Sequence, residues 1–517
     1  MRYLEARAAA AAGADERASA AFAEVLDASP DNQIVAAQAL DHGVAAGDWP
    51  LALRAARILE NAGQLRPDMR LLLVADAFKR RDWATARRQI DVVVSDRVFA
   101  FAVPVLRAWL AFASRRGDPI AALGTEIPPG GYAEEHRALL AVAMGRRDAG
   151  QVLAAATGAQ SLRAIHLRGA GAGALAARGD RAGALALLQG DEPPLVAARA
   201  LVEARRPVPG SFEGANSGLA ELFVRIALDL DARGLTSIGL GLSRVAGWVD
   251  PANSEPWMVA SELLAKLDMP DKGIAVLGHV SDDDPFAFAV SGQRARLLVA
   301  AGETEQALGL ARARAEAPGA GADDWVRLGD VLMALDRPAE AARAFARALE
   351  AHGGQDRVAE WQILFAQGGA LDRAGDWPAA RAALERASRA APNQPQVLNY
   401  LGYGLLIHHE DLAEGERLVR EAHRLAPDNP AITDSLGWAL YLKGDRQGAI
   451  ALLETAARGA PADVEINEHL GDAYYSVGRR IDARFAWRAA RVYAEGEDAT
   501  RIDAKIANGL GMASVIP

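Results

Sequence analysis

Apolar side chains along the C-terminal part of the chain recur at helical spacing, and they do so as an echo. Leu436, Gly437 and Leu440 share one helix face at i and i+3/i+4. The polar Lys443-Gly444-Asp445 then breaks the run. Gly444 suits the position just past a helix end, where φ is positive, and Asp445 suits the N-cap of the next helix. A second apolar face follows at Ala449, Leu452, Leu453 and Ala456, and Pro461 terminates it because proline cannot continue a helix interior. The pattern predicts two antiparallel helices and a tight turn. Ile432, Leu436, Gly437, Tyr441 and Ala449 return as Ile466, Leu470, Gly471, Tyr475 and Ala483, 34 residues on.

Gly437 and Ala449 are small where the two helices must approach closely. One such hairpin cannot cover both its faces, whereas stacking on the next does, so the period predicts an all-α solenoid. Leu436-Gly437, Leu440, Ala449, Leu453, Ala456 and Pro461 together resemble the tetratricopeptide repeat, a hairpin that stacks into a right-handed superhelix. The same skeleton is present at Leu470-Gly471, Tyr474, Ala483, Trp487 and Ala490, and at Trp325, Leu328-Gly329, Leu332, Ala341, Phe345 and Ala348. Leu401-Gly402 to Pro427 fits with one inserted residue near His408-His409, and Gly415 takes the usual alanine position.

Weaker copies extend toward the N-terminus, and about a dozen hairpins are expected. The turn at Gly47-Asp48-Trp49 recurs at Arg81-Asp82-Trp83 and Gly375-Asp376-Trp377. Residues 125–136 read as a loop. The Pro-, Gly- and Ser-rich segment at 205–218 reads as a linker between a degraded solenoid at 1–204 and a better-conforming one at 219–495. Residues 496–517 read as a capping helix and tail. There Ile502, Ile506 and Leu510 would close the last hairpin, with Asp503, Lys505 and Asn508 facing water.

Composition narrows the chemistry. The 517 residues are 51% hydrophobic, enough to fold, and carry a net charge of −10 with no basic block to attract nucleic acid. With no cysteine, disulfides, thiolate metal sites and thiol nucleophiles are excluded. No apolar run is long enough to span a membrane. No GxxxxGK, HExxH or GxSxG occurs. Gly169, Gly171 and Ala174 mimic a dinucleotide loop, but the residues before them read as helix. Neighbouring His408 and His409 would point about 100° apart on a helix, so they do not form a chelating pair. No cofactor, metal or small-molecule substrate is expected. A protein of the cytoplasm is expected, or of the periplasm if a signal sequence precedes Met1.

In the family resembled, the concave surface is lined by the residues one and four after the Leu-Gly glycine and two before its leucine. In the three best repeats these are Asn399, Tyr403 and Leu406; Asp434, Trp438 and Tyr441; and Glu468, Asp472 and Tyr475. The resemblance therefore implies a protein-binding groove of aromatic anchors among carboxylates. Such a groove suits a partner segment with basic and apolar residues rather than a bound C-terminal carboxylate. The last 120 residues or so also resemble bacterial cell-envelope multi-repeat proteins, some of them adaptors for a processing protease. That likeness implies a noncatalytic scaffold whose partners include a protease or its substrates. The other reading is an enzyme or enzyme-regulatory subunit with a site in the N-terminal half.

Overall fold

The computed structural model describes residues 2–124, 131–157, 161–190, 192–317, 320–353 and 359–511. Among these residues the chain forms 29 α-helices and no strand. The 125–130 part of the expected loop and the 512–517 tail lie outside the described residues. The chain divides into two compact units, Met1–Leu310 and Ala311–Pro517. It does so at Leu310/Ala311 and not at 205–218. The latter segment belongs to the first unit: Val208 and Phe212 are buried, and the Phe212 N–H donates to the Ala170 carbonyl. Its prolines and glycines mark a turn between hairpins, and its two apolar residues anchor it.

In the first unit one continuous core runs from Ala6 to Phe286. The turns follow from local chemistry. Gly47 takes φ 73°, and the Asp48 carboxylate caps the next helix by accepting from Leu51 N–H. The second copy of this turn places Arg81 at φ 56° and still caps with Asp82, which accepts from Thr85 N–H. A side chain in this backbone region costs about 1 kcal/mol or more, so the fold imposes the turn on Arg81. Four helices of this unit matter below: α1 (Tyr132–Ala143), α2 (Leu162–Ala177), α3 (Ala215–Asp231) and α4 (Ser254–Lys266). Gly169, Gly171 and Ala174 lie within α2. Gly171 faces Leu153 and Leu187, so its small size serves packing.

The second unit stacks five hairpins and a last helix. They are α5 (Ala322–Ala334) with α6 (Pro338–Ala351), α7 (Glu360–Arg373) with α8 (Trp377–Ala390), and α9 (Pro395–Ile407) with α10 (Leu412–Leu425). They continue with α11 (Pro430–Leu442) and α12 (Arg446–Gly459), α13 (Val464–Ser476) and α14 (Arg480–Tyr493), and the final α15 (Gly496–Asn508). Close approach is made at the small residues. A Cβ on Gly437 would lie 2.9 Å from Leu453 Cγ, and one on Gly471 would lie 2.3 Å from Trp487. Gly402 and Gly415 face each other, each leaving only 2.9 Å between a built Cβ and the other's carbonyl oxygen. The α11–α12 turn has Gly444 at φ 91° and Asp445 accepting from Gly448 N–H. Each large residue buried in these seams, such as Phe345 or Leu453, contributes about 1.5–3 kcal/mol.

Lys505 corrects the expected polar face of α15. It is 0% exposed, with Nζ 2.7 Å from both Glu468 and Asp472. The lysine stem crosses the apolar contact and delivers its charge between two buried carboxylates.

Candidate protein-binding face

The first helices of the second unit present one register of side chains on successive hairpins. Toward the C-terminal end these side chains are engaged by the protein itself. Trp438 is fully buried, stacked on Tyr441 at 4.6 Å and on His469 at 4.0 Å. Tyr441 is buried under the Arg446 guanidinium, 4.1 Å from its ring centre. Asp434 is buried and pairs with His469 Nδ1 at 2.9 Å. Burial by itself would hold the His469 imidazole neutral, but Asp434 beside it raises its pKa above the ordinary value.

The next repeat is closed by α15. Glu468 and Asp472 are fully buried. Arg501 donates two bonds to Glu468, at 2.9 and 2.8 Å, and the Trp487 indole N–H donates to Asp472 at 2.8 Å. Burial raises the pKa of Asp472. It would do the same to Glu468, but Arg501 and Lys505 bring that carboxyl below its ordinary value. Tyr475 is half-buried against Trp487, with ring centres 5.6 Å apart. The Tyr403 hydroxyl donates to Glu465, reaching from α9 to α13, and Leu406 is buried. Asn399 is half-buried, and its side-chain oxygen accepts no hydrogen bond. The sequence-predicted residues from Asp434 to Tyr475 are thus brought together, with their charges matched from within.

Toward the N-terminal end of this unit the same register stays open. A cavity of about 520 Å³ is lined by Asp330, Met333, Phe345, Phe365, Gly369, Asp372 and Tyr400, among others. Asp330 and Met333 are one and four residues after Gly329. Phe365, Gly369 and Asp372 hold the equivalent places around Gly368. The Tyr400 hydroxyl donates to Asp372 at 3.0 Å, and its ring meets Phe365 edge-on at 5.7 Å. Sequence reading passed over α7 because Gln367 replaces the expected leucine. The signal was nonetheless available, since Gly368 lies 34 residues before Gly402. His408 stacks on Trp377 at 4.5 Å, while His409 occupies the inserted turn at φ 53°.

The tetratricopeptide repeat family model matches residues 326–395 and 365–430. The protein carries tetratricopeptide repeats. Among solved structures it is similar to a thermophilic tetratricopeptide repeat protein of Thermus thermophilus, at 23% identity over 37% of this chain and 98% of that one, with a TM-score of 0.31. It is similar to PilF of Pseudomonas aeruginosa at 20% identity over 42% and 96%, TM-score 0.35. It is also similar to a chain of the APC/C Cut9–Hcn1 hetero-tetramer at 14% over 98% and 96%, TM-score 0.40. No curated protein matches the sequence.

Outside the matched tetratricopeptide repeats, the first unit holds a buried charge cluster. Glu135 of α1, Arg163 and His166 of α2, Glu221 and Arg225 of α3, and Glu255 of α4 converge there. His166, Glu221 and Glu255 have donor atoms within 4.8 Å of one another, a spacing that could hold a metal ion. Arg163 Nη1 already sits 2.7 Å from Glu255 and 3.2 Å from Glu221, so a resident cation occupies their centre. Three carboxylates against two guanidiniums leave one negative charge. Burial would keep His166 neutral, but Glu255 and Glu221 raise its pKa to about 9, and its imidazolium completes the balance. Nearby, burial lowers His136 to about 4, and the Trp109 indole N–H donates to its Nδ1 at 3.1 Å.

Proposed function

We propose that the protein is a noncatalytic scaffold that captures a partner polypeptide on the first-helix face of its C-terminal unit. The observation that carries this reading is the open cavity between α5, α7 and α9, lined at the register positions by Met333, Phe365 and Gly369 with Asp372 at its edge. Such a site takes an apolar side chain of an extended or helical segment, with carboxylates nearby to favour a flanking lysine or arginine. The aromatic residues from Trp438 to Tyr475 contribute by stiffening the neighbouring repeats. An adaptor that presents a bound polypeptide to a protease is one form this scaffold takes.

Gly369→Leu tests the reading. A Cβ there meets only the Tyr400 hydroxyl, at 3.9 Å, so the side chain fills the cavity without displacing a helix. Affinity capture with the full chain should recover the partner with the native protein and lose it with this variant. Equal recovery would overturn the proposal.

A further inference from the structure

Each of the large hydrophobic side chains that stand exposed in the second unit's described residues lies on one helix, α14. Ile481 is 72% exposed, Phe485 64%, Val492 73% and Tyr493 58%. The preceding hairpins supply an internal control. Counting from the small position of each second helix (Ala483, Ala449 and Gly415), the sites of Ile481, Phe485 and Val492 hold Gln447, Ala451 and Arg458 in α12. In α10 they hold Ala413, Arg417 and Arg424. The apolar trio is therefore a property of the last hairpin and not of the repeat.

Ile481, Phe485, Arg488 and Val492 are spaced by four, three and four residues, which places them on one stripe of the kind that seats a second helix. Arg484 and Arg488 border this stripe; both are exposed and have no partner among the described residues. A second copy of the chain is disfavoured as occupant, because antiparallel self-pairing would set these arginines against each other. An anionic lipid surface is disfavoured too. The stripe runs into exposed Glu495 and Glu497 at the start of α15, and the whole chain carries −10. We propose that α14 docks an acidic amphipathic helix of another protein, with leucine-like residues packed on Ile481, Phe485 and Val492 and carboxylates meeting Arg484 and Arg488. This surface is separate from the cavity, so it stands or falls independently of the function proposed above.

The test uses the full chain and a fluorescent model peptide, a helix with leucine at a and d and glutamate at e and g. Fluorescence anisotropy should show binding that weakens about tenfold or more in Phe485→Ser and again in Arg484→Glu/Arg488→Glu. The same peptide with lysine for glutamate should not bind. All three sites are exposed, and circular dichroism melting checks that the variants remain folded. Equal binding of both peptides, or binding indifferent to these substitutions, would overturn the proposal. So would a dimer in sedimentation that Phe485→Ser dissociates, or binding of phosphatidylserine vesicles that the same substitution abolishes.

Discussion

Two stretches of the same inner face differ in who occupies it. From Asp434 to Tyr475 the face is filled by the protein's own rings and ion pairs, sealed at the end by Arg501 and Lys505. From Asp330 to Tyr400 the same register leaves a cavity of about 520 Å³. The cause is side-chain size at equivalent positions and what packs against them. Where α11 has Trp438, α7 has Gly369, and where α13 has Asp472 with α15 against it, α5 has Asp330 beside open space. A repeat array thus has a common backbone plan but no uniform binding surface. The residue after the recurring glycine, together with what packs against it, decides whether a hairpin's inner face is filled or left open.

The strongest way to break this contrast is at the sealed end. Lys505→Met should cost about 3–5 kcal/mol, because it leaves Asp472 a buried carboxylate without its ion pair and Glu468 with Arg501 alone. A urea midpoint shift equivalent to less than about 1 kcal/mol would mean that α15 does not close the face. The next effect is on pH. His166 has its folded pKa raised from 6.5 to about 9, so its contribution is fully present below pH 6.5 and is lost as pH rises through 9, about 3 kcal/mol in all. His136, lowered to about 4, acts in the opposite sense: its contribution is present above pH 6.5 and is lost as pH falls toward 4. Unfolding of the first unit should therefore be hardest near pH 6.5. His469 is raised as well, so the sealed stretch should also weaken above pH 6.5, and His469→Gln should remove that slope.

At the open end the expected changes are in binding rather than folding. Gly369→Leu should weaken partner capture by about tenfold or more while leaving the urea midpoint in place or raised. The smallest effect sharpens the comparison further. Gly369→Ala should stabilise α7 by about 0.5–1 kcal/mol, since glycine is a poor helix former and nothing opposes the added methyl. Gly437→Ala in the sealed stretch should instead destabilise the fold, because its Cβ would press on Leu453.

Much of the fold was legible because its cues are local. Gly444 with Asp445 announces a turn, Pro461 follows a helix end, and the 34-residue return of Gly437 at Gly471 announces a stacked hairpin. The candidate site was less legible. Naming Trp438 and Tyr475 as groove residues rested on register, but register says which way a side chain points and not what fills the space before it. Lys505 shows the same limit: its place on the polar flank of α15 predicts solvent, while its actual partners are 33 and 37 residues back along the chain. The division at Leu310/Ala311 was also invisible, since it falls within the helix Thr304–Ala315 and no loop composition marks it.

By itself, then, the sequence determined the hairpin, its period and its close contacts, because helix periodicity, turn conformation and side-chain volume act over a few residues. Only the tertiary structure decided which carboxylates meet a cation, which rings stack, and which hairpin keeps its inner face open. Those outcomes depend on distances between residues from separate repeats, and burial and electrostatics act on distance in space rather than on position in the chain.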